Sequence, residues 1–430
     1  MQTKKYVFNL VALLVIAAFM LTACGTSATA TMAPAPATQA PVPATAAPAT
    51  MAPATAAPVA AAPTKVYTYA GTDYNGTVVS SVPADLVAAC KAEGTITIIA
   101  TPDNWANYGE LFADFEDTTG ATINSLNPNA GSADELAAIV ANKANKGPQA
   151  PDIVDVGYAY GAKGIAAGDY QPYKFSTWDK MPSTVLGLPS NDPTGLWSVA
   201  YYGTLVFETN STVVQNAPQN WSDLLKPEYK GQVALSGPAI TSNQAQQVII
   251  AAGLANGGTL DNVQPGLDFF KKLNDAGNFV PVVSKAGTIA QGATPITVTW
   301  DYLGFGDQAT FAGNPPITIT FPSPTIGGAY VQAISAYAPH PNCAKVWIEI
   351  LHSDQGQLAF LRGHASVINE ADMISRGAVP ADVLKNLPDP KILAAAVAPT
   401  VEQLTKDAAY IAANWMTTVN ASQVTATPAP

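Results

Sequence analysis

Arginine is nearly absent from this chain. Only Arg362 and Arg376 occur among its 20 basic residues, in a sequence of 430. Charge of any kind is scarce, at 12% against about 25% in an average soluble domain. The balance is acidic, with a formal net charge of −11. A nucleic-acid partner is excluded, because phosphate neutralisation needs clustered Lys and Arg. Three cysteines exclude a disulfide scaffold. Three histidines without metal-ligand spacing (His340, His352, His364) read as packing or surface residues, and no metal site or cofactor is expected. Only one apolar run, residues 7–20, is long enough to weigh as a membrane segment, so a multi-spanning protein is excluded. What is present is a core supply: 16 Tyr, 13 Phe and 7 Trp rule out disorder throughout.

The N-terminus reads as an address. Lys4 and Lys5 precede the apolar run, which ends in small residues before Cys24. The run is short for a span of about 20 residues. Leu21-Thr22-Ala23-Cys24 resembles the bacterial lipoprotein lipobox. That resemblance implies a signal peptide over 1–23, lipid on Cys24, and a chain tethered to the outer face of the cell membrane. Residues 24–64 are Ala/Pro/Thr-rich and uncharged, a composition that favours extended polyproline II over a packed core. Residues 421–430 return to that composition and read as a tail.

The remaining 355 or so residues exceed the usual limit of about 250–300 for one core, so two lobes are expected. Helical and strand patterns alternate. TITIIA (95–100), DIVDVG (152–157), WSVAYYGTLVFE (197–208), GQVAL (231–235), ITVTW (296–300) and ITITF (317–321) read as strands. Residues 108–116, 133–146, 242–254, 263–276, 343–353 and 354–362 read as helices. This order argues for α/β lobes with parallel sheets covered on both faces.

Several segments, in chain order, resemble the extracellular solute-binding proteins of ABC importers, in the branch that includes ferric-iron, polyamine, thiamine and phosphonate binders. Residues 86–94 (LVAACKAEG) with TITIIATP are similar to the family's opening helix and strand. PQNWSDLLKPEYKG (218–231) is the most specific segment and resembles the family's passage into the second lobe. APHPNCAK (338–345) and LHSDQGQLAFLRG (351–363) resemble the returning helices. The resemblance implies a type 2 periplasmic-binding-protein-like fold, with lobe one at 65–202 plus 328–369 and lobe two at 203–327 plus 370–420. It also implies a monomer that captures a small molecule in the cleft and passes it to ABC-transporter permease subunits. Cys90 and Cys343 then both belong to lobe one and form a candidate disulfide.

Ligands of open α/β sheets sit beyond the C-terminal ends of strands. The loops in that position offer Asp103, Asn104 and Trp105; Tyr158 and Tyr160; Thr241, Ser242 and Asn243; and Trp300, Asp301 and Tyr302. Thr241-Ser242-Asn243 is similar to a Thr-Ser-Gly loop that cradles an anion in relatives, with Asn in place of Gly. Ferric binders carry two adjacent tyrosines where this chain has Asp301-Tyr302, so iron would have those two as its ligands. The candidate set is acidic and aromatic, which suits an organic cation such as a polyamine or thiamine. The scarcity of Arg removes the bidentate clamp for a carboxylate. Ferric iron and a phosphonate or phosphate ester are the alternatives within the family. No GxSxG, HExxH, Walker or GxGxxG motif supports an enzyme; a tethered enzyme and a carbohydrate-binding protein are the readings from other classes.

Overall fold

The computed structural model describes residues 82–425, preceded by two short paired strands, Thr68–Tyr69 and Thr72–Asp73. All belong to one compact unit, Ala61–Pro430. The expected signal segment, Cys24 and the linker 24–64 lie outside the described residues.

The chain opens with α1 (Ala84–Glu93) and β1 (Thr95–Ile99). Only Gly94 separates them, at φ +78, a left-handed conformation that glycine adopts without a Cβ penalty. Then follow α2 (Tyr108–Thr119), β2 (Thr122–Leu126), α3 (Ser132–Ala141), β3 (Ile153–Gly157) and α4 (Tyr158–Ala167). Helix α2 buries Tyr108, Leu111, Phe115 and Thr119, one stripe at helical spacing. The long strand β4 (Ser198–Asn210) leads to β5 (Val233–Leu235), α5 (Asn243–Ala255), α6 (Gln264–Asp275) and the short α7 (Ala286–Ala290). Next come β6 (Ile296–Trp300), α8 (Asp301–Phe311), β7 (Ile317–Thr320) and β8 (Gly327–Ser335). Helices α9 (Pro341–Leu351), α10 (Asp354–Arg362) and α11 (Val401–Thr418) close the fold.

The main sheet runs β5-β6-β4-β8-β3-β1-β2, with β7 also paired to β4. Its two ends are parallel: β5 with β6, and β1 with both β2 and β3. Its middle is not. Strand β4 is antiparallel to β6 and β8, and β8 is antiparallel to β3. The sheet is therefore mixed, where the strand and helix alternation argued for parallel pairing throughout. The apolar stretch of β4 explains the difference. It pairs with β8 along its first half and with β6 and β7 along its second, so one strand serves both ends of the sheet.

Two segments expected to be loops are helical. Tyr158 and Tyr160 stand in the first turn of α4, and Asp301 and Tyr302 open α8. Helix α11 packs on α4, α5 and α6. Cys90 of α1 and Cys343 of α9 are joined by a disulfide that closes a separation of 253 residues. No described helix is long and apolar enough to cross a membrane.

Candidate functional site

Strands β4 and β8 bring Tyr201 and Tyr330 into stacked contact, with ring centroids 5.5 Å apart. Two further rings meet them. Trp105, from the loop after β1, lies edge-on to Tyr330 at 5.4 Å and to Tyr302 at 5.8 Å. Such edge contacts are favoured by the ring quadrupole. The Trp105 loop is pinned from below. Asn107, at φ +67, donates through Nδ2 to Glu110 and to the Ala359 carbonyl. The indole Nε1 of Trp105 donates to the Tyr201 hydroxyl at 2.6 Å.

That hydroxyl donates in turn to Asp155 on β3, at 2.6 Å. Asp155 also accepts from Tyr108 at 3.0 Å and from Gln332 at 2.6 Å. Burial pushes the Asp155 carboxyl up to about 7, against the three donors that favour its ionised form. A chain of hydrogen bonds thus runs from a buried acid to the ring that faces the cleft.

A cavity of about 360 Å³ opens beside Trp105. This is the lower end of the range for small-molecule pockets, about 300–1,000 Å³. Its first wall is Pro102, Asn104, Trp105 and Asn129. The opposite wall comes from β4, β6, α7 and α8 and includes Lys285, Thr288, Thr299, Glu208 and Asp307. A smaller cavity of about 40 Å³ adjoins it and shares Trp105, Asn129, Ser236 and Lys285 with it. Its lining adds Glu135, Asp155, Ser242, Asn243 and Tyr330.

The charged groups of the larger cavity have no opposite-charge partners among the described residues. Glu208 on β4 is 1% exposed and Asp307 on α8 is 9% exposed. Their carboxyls lie within hydrogen-bonding reach of each other, and no cation or N–H among the described residues serves either. Burial, then the neighbouring acid, holds Glu208 well above the usual carboxyl range; burial pushes Asp307 up to about 6. Two carboxyls this close disfavour ionising together, which favours a shared proton between them. Lys285 makes no ion pair or hydrogen bond through its ammonium among the described residues, and burial lowers its pKa.

The residues expected at the site divide. Asn104 and Trp105 line the larger cavity; Trp105, Ser242 and Asn243 line the smaller one. Ser242 also caps α5, its Oγ accepting from the Ala245 N–H at 3.3 Å. The others line neither. Asp103 is exposed on the loop, and Thr241 abuts Gly131 through its carbonyl. Tyr158 is buried and donates to the Pro189 carbonyl at 2.6 Å. The buried Tyr160 ring lies under Lys163, 4.1 Å from its Nζ. Trp300 is buried and donates to the Tyr330 hydroxyl at 3.2 Å. Asp301 is 1% exposed and accepts from Thr204 Oγ1 at 3.0 Å and the Tyr302 N–H at 2.8 Å. Its oxygens are committed to β4 and the start of α8. Tyr302 is enclosed by Trp105, Tyr201 and Trp300. Among the described residues, no cluster of three or more His, Cys, Asp or Glu could hold a metal ion.

Sequence reasoning passed over Glu208, Asp307 and Lys285. Glu208 was visible as the one charge closing an apolar strand. Asp307 follows Asp301 by six residues with nothing to mark it, and Lys285 lies in a stretch without an assigned element.

A two-lobed α/β fold with crossing strands and a small cavity beside them defines a protein that binds small molecules between lobes. Residues 149–391 match the family model described as bacterial extracellular solute-binding protein, and the chain belongs to that family. It is thus the solute-binding subunit of an ABC importer, working outside the cytoplasmic membrane. No match was found among curated proteins. Among solved structures, it is similar to the periplasmic binding protein AfuA from Actinobacillus pleuropneumoniae, bound to fructose-6-phosphate (18% identity, TM-score 0.57, 76% of this chain and 99% of that one). It is also similar to the spermidine/putrescine substrate-binding protein PotD from Streptococcus pneumoniae (17% identity, TM-score 0.52, 76% and 99%). Iron-bound HitA from Pseudomonas aeruginosa is a third (15% identity, TM-score 0.51, 74% and 99%). Three such different ligands on one fold mean that the fold does not select the solute.

Proposed function

We propose that this subunit captures a small organic cation, with its ammonium held by Glu208 and Asp307 against the face of Trp105. The observation that carries this is the acid pair itself. Buried charges are ordinarily paired, and this pair has no cation. A ligand ammonium would supply the missing charge and drive off the shared proton, while an indole wall adds cation–π attraction. The counter-charge is thus assigned to Glu208 and Asp307, in place of Asp103 and Asp301. Polyamines and thiamine remain the candidate classes.

In this reading lobe one is 65–202 plus 328–369 and lobe two is 203–327 plus 370–420. The chain acts as a lipid-anchored monomer tethered through Cys24, without catalytic activity. The ligand favours the closed arrangement only through its tighter binding there. Ferric iron is less well supported, because Asp301 and Tyr302 are already enclosed by protein. A phosphonate or phosphate ester gains support from one feature, the unpaired Lys285.

A thermal-shift screen over putrescine, spermidine, thiamine, phosphate esters and ferric salts tests the reading. Bound ligand at about 100-fold its dissociation constant adds about 2.7 kcal/mol. Stabilisation by an amine is expected. Stabilisation by Fe³⁺ or phosphate esters alone would contradict it.

A further inference from the structure

The same cavity wall carries two opposite charges that ignore each other. Lys285 and the Glu208–Asp307 pair all line the 360 Å³ space. Yet Lys285 forms no ion pair with either acid, and its perturbation comes from burial alone. Opposite charges withdrawn from water gain strongly by pairing, so two left apart in one cavity mark two places for a ligand to complete. A second unmet donor lies beside Lys285. Asn243 is 4% exposed, and its Nδ2 approaches the Tyr330 hydroxyl but makes no well-aligned hydrogen bond among the described residues. It lines the smaller cavity, which Lys285 also lines.

From this geometry we infer that the solute is amphoteric: an ammonium at one end faces Glu208 and Asp307, and an anionic group at the other faces Lys285 and the Asn243 amide. This inference rests on the ammonium reading above and narrows its ligand class. A simple diamine would put a second positive charge beside Lys285, where like-charge contact opposes it. A compact ω-amino acid, or an amine bearing a carboxylate or phosphate, would complete both ion pairs. Scarcity of Arg does not stand against this, because a lysine binds an anion as a point charge without the fork geometry.

The test is calorimetric titration of the full chain with three probe series matched in carbon number: ω-amino acids, α,ω-diamines and α,ω-dicarboxylates. An ω-amino acid of fitting length is expected to bind more tightly than its diamine. Lys285→Met is expected to weaken that amino acid by about 30-fold, the loss typical of stripping one partner from a desolvated ion pair, and to leave or improve the diamine. Lys285→Gln, which keeps a polar end, serves as the second variant, and the unfolding midpoint of each is recorded. Equal or tighter binding of a diamine by the wild-type chain overturns the amphoteric inference and leaves the ammonium reading standing. Parallel weakening of amino acid and diamine by both variants also overturns it, because Lys285 then acts through structure alone. Binding of dicarboxylates alone overturns both readings.

Discussion

Asp155→Asn separates a buried charge from its hydrogen bonds. Below about pH 7 the native Asp155 is protonated, whereas in the unfolded chain it ionises above about 3.9. The sign follows: a carboxyl whose pKa is raised on folding stabilises the native state at low pH, and that contribution fades as pH rises through the folded value. The loss is about 1.4 kcal/mol per pH unit between those two points, or about 4 kcal/mol in all. Asparagine imitates the protonated acid. Its oxygen can accept from Gln332 as Oδ1 does, and its amide can donate to the oxygens of Tyr108 and Tyr201. It does not titrate. Chemical denaturation of both chains at about pH 4.5 and about pH 8 gives the comparison directly, because every other titrating group is common to both. The cost of the substitution is expected to shift by about 3–4 kcal/mol in favour of the variant at the higher pH. A cost that does not change with pH would refute the reasoning.

Gly203→Ala on β4 would place a Cβ 2.3 Å from Asp301 Oδ1 and 2.8 Å from the Tyr302 ring. Overpacking of this kind costs about 1–3 kcal/mol, and a lower thermal midpoint with loss of ligand response is expected. Cys343→Ser opens the covalent link between α1 and α9; denaturation should show a loss of about 2–5 kcal/mol, and an unchanged midpoint would mean the link adds nothing. Glu349→Ala strips the acceptor from the Tyr173 hydroxyl (2.6 Å) and the Ser176 N–H (3.0 Å). At about 1–3 kcal/mol for a stranded buried donor, it should destabilise while leaving ligand affinity intact.

Much of the fold was legible in the sequence because its strands and helices carry strong local patterns. DIVDVG and ITVTW are buried along their whole described length, and the expected helix at 354–362 is observed with those bounds. Strand β8 was not, because GGAYVQAIS opens on two glycines and has weak alternation. At the site, Trp105 could be placed by its position after the first strand. Asp301 lies outside both cavities for a physical reason: a carboxylate at the end of a strand is equally suited to the start of a helix, and here Thr204 and the Tyr302 N–H use its oxygens. Glu208 and Asp307 meet across 99 residues of chain, and no local spacing reports such a contact. The same holds for Lys285, whose meaning lies in the partner it lacks.

The most direct measurement is titration of putrescine, spermidine, thiamine and ω-amino acids into the wild-type chain and the Glu208→Gln/Asp307→Asn double variant. If the acid pair holds the ligand ammonium, the variant should keep its unfolding midpoint and lose about 30-fold or more in affinity for whichever amine binds. An amine that binds both chains equally would contradict the assignment of the site to Glu208 and Asp307.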